Sequence, residues 1–238
     1  MASKKDPGNP GHTGPVQPVR VVDRELRLEE NERMARALQA DGIDVSSPWD
    51  LIYVDGKEYA EAIPTLLRFV AEVREWDSLC VLSRLLRIKQ ARRGVPAVLY
   101  RKLAVSDTDI DDGEESMAGE LAVTMAYVAT PSDFEDLWGI VEGDRYSRLV
   151  RGAIIGGIVR LARTQGQRSK VEDFLLEQLG TAAEMKGWAG SIAQALGGLK
   201  SRRALPALRV MQTQGGTDFE RRRAKQAVAK IEKSGSAS

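Results

Sequence analysis

Cysteine and histidine are almost missing from this sequence: each occurs once in 238 residues. Cys80 alone supports neither a disulfide framework nor a multi-cysteine metal cluster. His12 stands among prolines and glycines, so a Ser-His-Asp triad, a Cys-His pair or a multi-histidine metal site is not expected. Aromatic residues are only 5% of the chain. No stretch approaches the ~20 apolar residues that span a bilayer, so no membrane association is expected. Alternating apolar runs of strand length are missing, and so is Asn-Gly, which argues against sheets and tight hairpins. Glycine-rich phosphate motifs are missing too: Gly152, Gly156 and Gly157 fall inside a helical pattern, and no Gly-Lys-Ser/Thr follows. These absences remove most familiar catalytic chemistries. No catalytic residue, metal or cofactor is expected.

What remains is a highly charged chain, 29% Asp, Glu, Lys and Arg, with a formal net charge of only +1. The length suits one domain, or at most two small ones. Residues 1–22 carry Pro7, Pro10, Pro15 and Pro18 with Gly8, Gly11 and Gly14. Prolines remove donors and glycines raise chain entropy, so this tail is expected to be disordered. Lys4 and Lys5 are followed by no apolar run, unlike a secretory signal. A single unpaired thiol fits a reducing compartment, and a cytoplasmic location is expected. Residues 23–56 read as an N-terminal helix and capping segment, 57–233 as a repeat array, and 234–238 as a frayed tail.

Beyond residue 22 the apolar spacing is helical. Leu26, Met34 and Leu38 mark a helix over about Asp23 to Ala40, with Asp41-Gly42 as its stop. Ile63, Leu66, Leu67 and Val70 fall on one helical face, and Leu79, Leu82, Leu85 and Leu86 continue the pattern. The helices then recur. Ile63-Pro64, Val95-Pro96 and Leu205-Pro206 each open one, with proline in the first turn, where its missing N–H costs nothing. Helices near Phe134–Trp138 and Val171–Leu176 fall between them. Each is followed by a second helix rich in small residues: Ala118–Ala126, Gly152–Ile158, Ala189–Leu196 and the more polar Ala224–Ile231. Gly119, Gly152 and Gly190 are separated by 33 and 38 residues, and a two-helix repeat of that length is a solenoid signature.

The strongest echo sets Leu86–Leu99 against Leu196–Leu208. Both hold an apolar helix end, then lysine, then Arg-Arg, then an apolar residue followed by Pro-Ala. Residues Ala195–Lys200 with Ala204–Leu208 resemble a HEAT repeat of the short bacterial kind found in phycobilisome lyases. Asp144 with Arg151, and Asp218 with Arg223, resemble the Asp and Arg of that repeat, whose ladder ties successive repeats together. Residues 46–73 resemble the N-terminal cap of uncharacterised bacterial HEAT-repeat proteins. The resemblance implies an all-α fold: a right-handed α-solenoid of about five HEAT-like helix pairs with an N-terminal capping helix. It says almost nothing about activity.

Four features invite a functional reading. Asp107–Glu115 holds six carboxylates, but an EF-hand loop needs glycine at its sixth position and glutamate at its twelfth, here Asp112 and Ala118. A solvated acidic loop is the reading. Lys89, Arg92 and Arg93 fall at one inter-repeat turn; Arg160, Arg163, Arg168 and Lys170 at a second; Lys200, Arg202 and Arg203 at a third. Of these, Lys89, Arg92, Arg93, Arg168, Lys170, Lys200, Arg202 and Arg203 are the candidate binding residues. They could track an anionic partner such as nucleic acid, or they could cap helix C-termini, where the macrodipole favours cations. Trp49, Trp76, Trp138 and Trp188 read as core. Some HEAT-fold DNA repair glycosylases hold a damaged nucleotide with tryptophan and aspartate, and Trp138 and Trp188 are the pair to inspect for that chemistry. Cys80, between Leu79 and Val81, reads as buried and inert.

The function expected is non-enzymatic: an adaptor or scaffold that holds another protein on the curved face of the array. Nucleic-acid binding along the basic edge is the alternative. A repair glycosylase is the remote one. The protein reading calls for exposed apolar or aromatic side chains on the curved face.

Overall fold

A computed structural model describes residues 23–106, 117–164, 166–181 and 188–235. The Pro/Gly tail of residues 1–22, the acidic segment Asp107–Glu115 and residues 236–238 lie outside them. Among the described residues all regular structure is helical: α1 (Arg24–Ala40), α2 (Ile63–Glu72), α3 (Trp76–Leu85), α4 (Ala97–Ser106), α5 (Met117–Val128), α6 (Phe134–Glu142), α7 (Arg148–Ala162), α8 (Arg168–Thr181), α9 (Trp188–Leu199), α10 (Leu205–Gln214) and α11 (Asp218–Gly235), with short 3-10 turns between some of them. α11 carries regular helix two residues into the stretch expected to fray, through Ser234 and Gly235.

The helices start where the sequence supplies a cap. Asp23 accepts a hydrogen bond from the Leu26 N–H at 3.0 Å and opens α1. Glu75 does the same for Ser78 in α3, at 3.1 Å. Pro64 and Pro206 stand in the first turns of α2 and α10. Thr130 and Asp133 form a capping box before α6, in which the Thr130 N–H donates to the Asp133 carboxylate at 2.7 Å. Three helices end in one way. The chain turns left-handed at Gly42, Gly166 and Lys200, with φ of +84°, +68° and +57°. The next N–H then reaches back five residues: Ile43 to Leu38, Gln167 to Ala162, and Ser201 to Leu196. This closure satisfies carbonyls that the helix leaves open.

Packing sorts the helices into two sets. α3, α5, α7, α9 and α11 touch one another in succession. α2, α4, α6, α8 and α10 each pack on the helix that follows in the chain. α1 lies on α2, α3 and the 3-10 turn Pro48–Tyr53. The core is aliphatic, with Leu66, Leu79, Leu82, Leu121, Ile154, Ile192 and Leu196 all fully buried. Each such side chain contributes roughly 1.5–3 kcal/mol by leaving water.

Small residues set how closely the first set packs. A Cβ on Gly157 of α7 would stand 2.8 Å from the Ala126 Cα on α5, and one on Gly197 of α9 would stand 2.7 Å from the Ala227 Cα on α11. At the other end, the buried Glu30 carboxylate on α1 accepts from the Arg74 N–H at 2.7 Å, which fixes α1 on the corner between α2 and α3. A buried carboxylate is tolerable there because it is hydrogen-bonded.

Candidate functional site

Helix C-termini present open carbonyls and a partial negative charge, so they attract cations. The second helices of this chain recruit theirs from neighbouring elements. Arg160 on α7 donates through Nη2 to the Ala126 and Ala129 carbonyls at 3.0 and 2.8 Å, closing the end of α5. Arg163 donates through Nη2 to the Gly198 carbonyl, and Arg168 at the start of α8 donates to the Leu199 carbonyl at 2.7 Å. Two separate arginines thus close the end of α9.

The eight candidate cations divide by their surroundings. On α8, Lys170 stands 3.6 Å from the Glu135 carboxylate and 4.9 Å from the centre of the Trp138 ring. Arg203, in the 3-10 turn Arg202–Ala204, pairs with Asp173 at 2.5 Å. Both face an acid from an earlier helix of the same set, in ion pairs open to solvent. Arg168 is used as a cap. Lys200 holds the left-handed turn after α9. Arg92 lies over the Tyr127 ring, 4.2 Å from its centre. Among the described residues, Lys89, Arg93 and Arg202 are exposed and pair with no acid.

Arg92 also acts on Arg160. Burial, first, and then the nearby Arg92 charge hold the Arg160 guanidinium below the usual arginine range, while Asp133 opposes the shift. Arg92, just past the 3-10 turn that follows α3, and Arg160 on α7 thus stand near each other.

Arg160 also borders a groove of about 430 Å³ between α7, α9 and α11. Its lining is small and aliphatic, with Gly156 and Gly198 beside Ile155 and Val159, and includes the polar residues Ser191 and Gln194. Its charged margin is Arg160, Arg163 and Lys230. Among the described residues, none of those lining it is acidic or aromatic. The curved-face patch of exposed apolar side chains that the sequence reading calls for is not what lines this groove. Exposed Val123, Leu149 and Phe219 occur singly on α5, α7 and α11.

The sequence reading missed Lys230, Ser191 and Gln194. Their signal is a polar or small stripe at helical spacing: Gly152, Gly156, Arg160 and Arg163 along α7, and Ser191, Gln194 and Gly198 along α9. A second recess of about 400 Å³ is more apolar, lined by Leu179, Ala189, Val210 and Met211 among others.

The tryptophan pair is packed away. Trp138 and Trp188 are each 3% exposed. Trp138 stacks on Phe134 with ring centres 6.1 Å apart and meets Phe174 edge-on at 5.1 Å. Trp188 lies beneath Arg151, 4.9 Å from its guanidinium carbon. The expected Asp–Arg ladder takes a different form. Arg151 donates to the Val141 carbonyl at 2.9 Å. Asp218 bonds Arg221, whereas Arg223 lies over the Phe219 ring. A backbone carbonyl and aromatic faces contact these arginines, while Asp144 acts on Arg151 through its charge. Cys80 is 2% exposed, and burial, helped by Glu120, pushes its thiol up to about 12.

Among the described residues, no group of three or more His, Cys, Asp or Glu side chains converges as metal ligands, and no helix is long and apolar enough to cross a membrane. Compared with known proteins, the chain matches no family model, no curated protein and no solved structure.

Proposed function

We propose that this chain is a binding module rather than an enzyme: an adaptor that holds another protein along its row of second helices. In this reading the fold is a right-handed α-solenoid of about five HEAT-like pairs, α2 with α3 through α10 with α11, capped by α1. The observation that carries it is the succession of contacts from α3 through α5, α7 and α9 to α11, each helix also backed by its own partner. Repeats that touch only their neighbours leave an extended surface along the row, which is the usual binding face of such arrays. The single buried thiol suits a reducing compartment, and the cytoplasm is the proposed location.

Nucleic-acid binding is the second reading, favoured by Arg92, Arg160, Arg163 and Lys230. It ranks lower because Lys170, in the first turn of α8, and Arg203, in the turn before α10, already face Glu135 and Asp173.

The test is a pull-down of the tagged chain from native lysate, with and without nuclease, followed by crosslinking. A stoichiometric protein that survives nuclease and crosslinks to α7, α9 or α11 is the expected result. Capture that vanishes with nuclease replaces the protein reading by the nucleic-acid one.

A further inference from the structure

We propose that the groove between α7, α9 and α11 binds an Asp/Glu-rich segment of the partner protein. This rests on the adaptor reading and names the chemistry of its partner. Three observations select that occupant.

The first is charge. Arg160, Arg163 and Lys230 share one groove whose described lining holds no acid. Both arginines use only Nη2 for the carbonyls they cap. The guanidinium fork has five N–H donors. Among the described residues the Nε and Nη1 donors of both forks have no protein acceptor, so carboxylates can take them without breaking the caps. Charge-assisted bonds of that kind are the strong ones.

The second is the floor. Gly156 brings helix backbone to the surface, and a Cβ placed on it meets nothing within 4 Å, whereas Gly152 and Gly198 pack against Ser191 and Val159. An incoming main chain can lie close there. Ser191 and Gln194 can donate to its carbonyls, and the Gln194 carbonyl oxygen can accept from its N–H groups.

The third is what the groove lacks for the other polyanion. The groove is a surface recess of about 430 Å³, which holds a short stretch of extended chain but not the body of a nucleic-acid duplex. Single strands are held by stacking bases on aromatic side chains, and the described lining offers none.

The experiment titrates the full chain with a short fluorescein-labelled peptide of alternating Glu and Ser. A Lys/Ser peptide and single-stranded and duplex oligonucleotides serve as comparisons. Saturable one-to-one binding of the acidic peptide is expected. Arg163→Gln and Lys230→Glu should each weaken it at least about tenfold, as loss of a close charge pair does. Gly156→Phe should abolish it by filling the groove, and Gly156→Ala should leave it intact. Circular dichroism confirms that each variant is folded, and the two charge variants carry the test if Gly156→Phe is not. Unchanged affinity in Gly156→Phe, equal binding of the Lys/Ser peptide, or preference for an oligonucleotide overturns the proposal. The adaptor reading fails separately. A nuclease-resistant protein partner retained by Gly156→Phe removes the groove assignment alone, whereas a wild-type chain that captures no protein removes both.

Discussion

Lys200 holds a backbone conformation that glycine holds at the ends of α1 and α7. For an L-residue the left-handed region costs roughly 1–2 kcal/mol. Lys200→Gly is therefore expected to stabilise the protein by about 1 kcal/mol, read as a higher urea midpoint at unchanged slope. A lower midpoint would show that the ammonium at the end of α9 outweighs the strain. Cys80 makes a second prediction. Its thiol is raised from an ordinary value near 9 to about 12. Between those values the unfolded chain has released a proton that the folded chain retains. Stability from this residue is then present below about pH 9 and is lost as pH rises toward 12. Cys80→Ala should flatten that alkaline decline, and iodoacetamide should modify Cys80 in the native protein only at the rate of opening. Modification at the rate of a free thiol would contradict the burial.

At the scale of the helix, adjacent glycines on α7 have opposite roles. Gly157 faces α5, where any side chain meets Ala126, while Gly156 faces the groove and open space. Gly157→Ala is expected to destabilise by about 1–3 kcal/mol through overpacking. Gly156→Ala is expected to stabilise by about 0.5–1 kcal/mol, because glycine is a poor helix former. Matched thermal melts of the two variants check both signs. The sequence pattern places both glycines inside a helix without separating their faces; buried Ile154, Ile158 and Leu161 mark the side on which Gly157 falls. The helices were legible, since periodicity, prolines and caps are local signals. The site was not. Whether Lys170 and Arg203 are free depends on Glu135 and Asp173, about thirty residues away in the chain and brought close only by packing. Lys230 reaches the groove from the last helix, where nothing local distinguishes it from a solvated lysine. The Asp–Arg spacing was legible as well, yet the arginines find a carbonyl and aromatic rings, because a spacing does not choose between acceptors.

For the whole molecule, the order of contacts predicts how it comes apart. α9 packs chiefly on α7, α8 and α11, and α11 on α9 and α10. If stability is a sum over neighbours, damage at one interface stays near it. Gly197→Leu places a side chain against the Ala227 backbone, where even a Cβ would stand at 2.7 Å. The interface between α9 and α11 must then open. Amides of α10 and α11 should lose hydrogen-exchange protection by at least about tenfold, the factor that 1.4 kcal/mol commands. α9 should follow less steeply, and α2, α3 and α4 should keep their wild-type protection, since local opening draws on local contacts. A single cooperative core would respond differently, with every protected amide falling by the same factor. Exchange measured on Gly197→Leu beside Gly157→Leu separates the two. In a neighbour-by-neighbour array the loss of protection moves with the substitution, from the last pair to the junction of α5 and α7; in one global unit both variants give a single uniform profile, and the solenoid reading would not survive it.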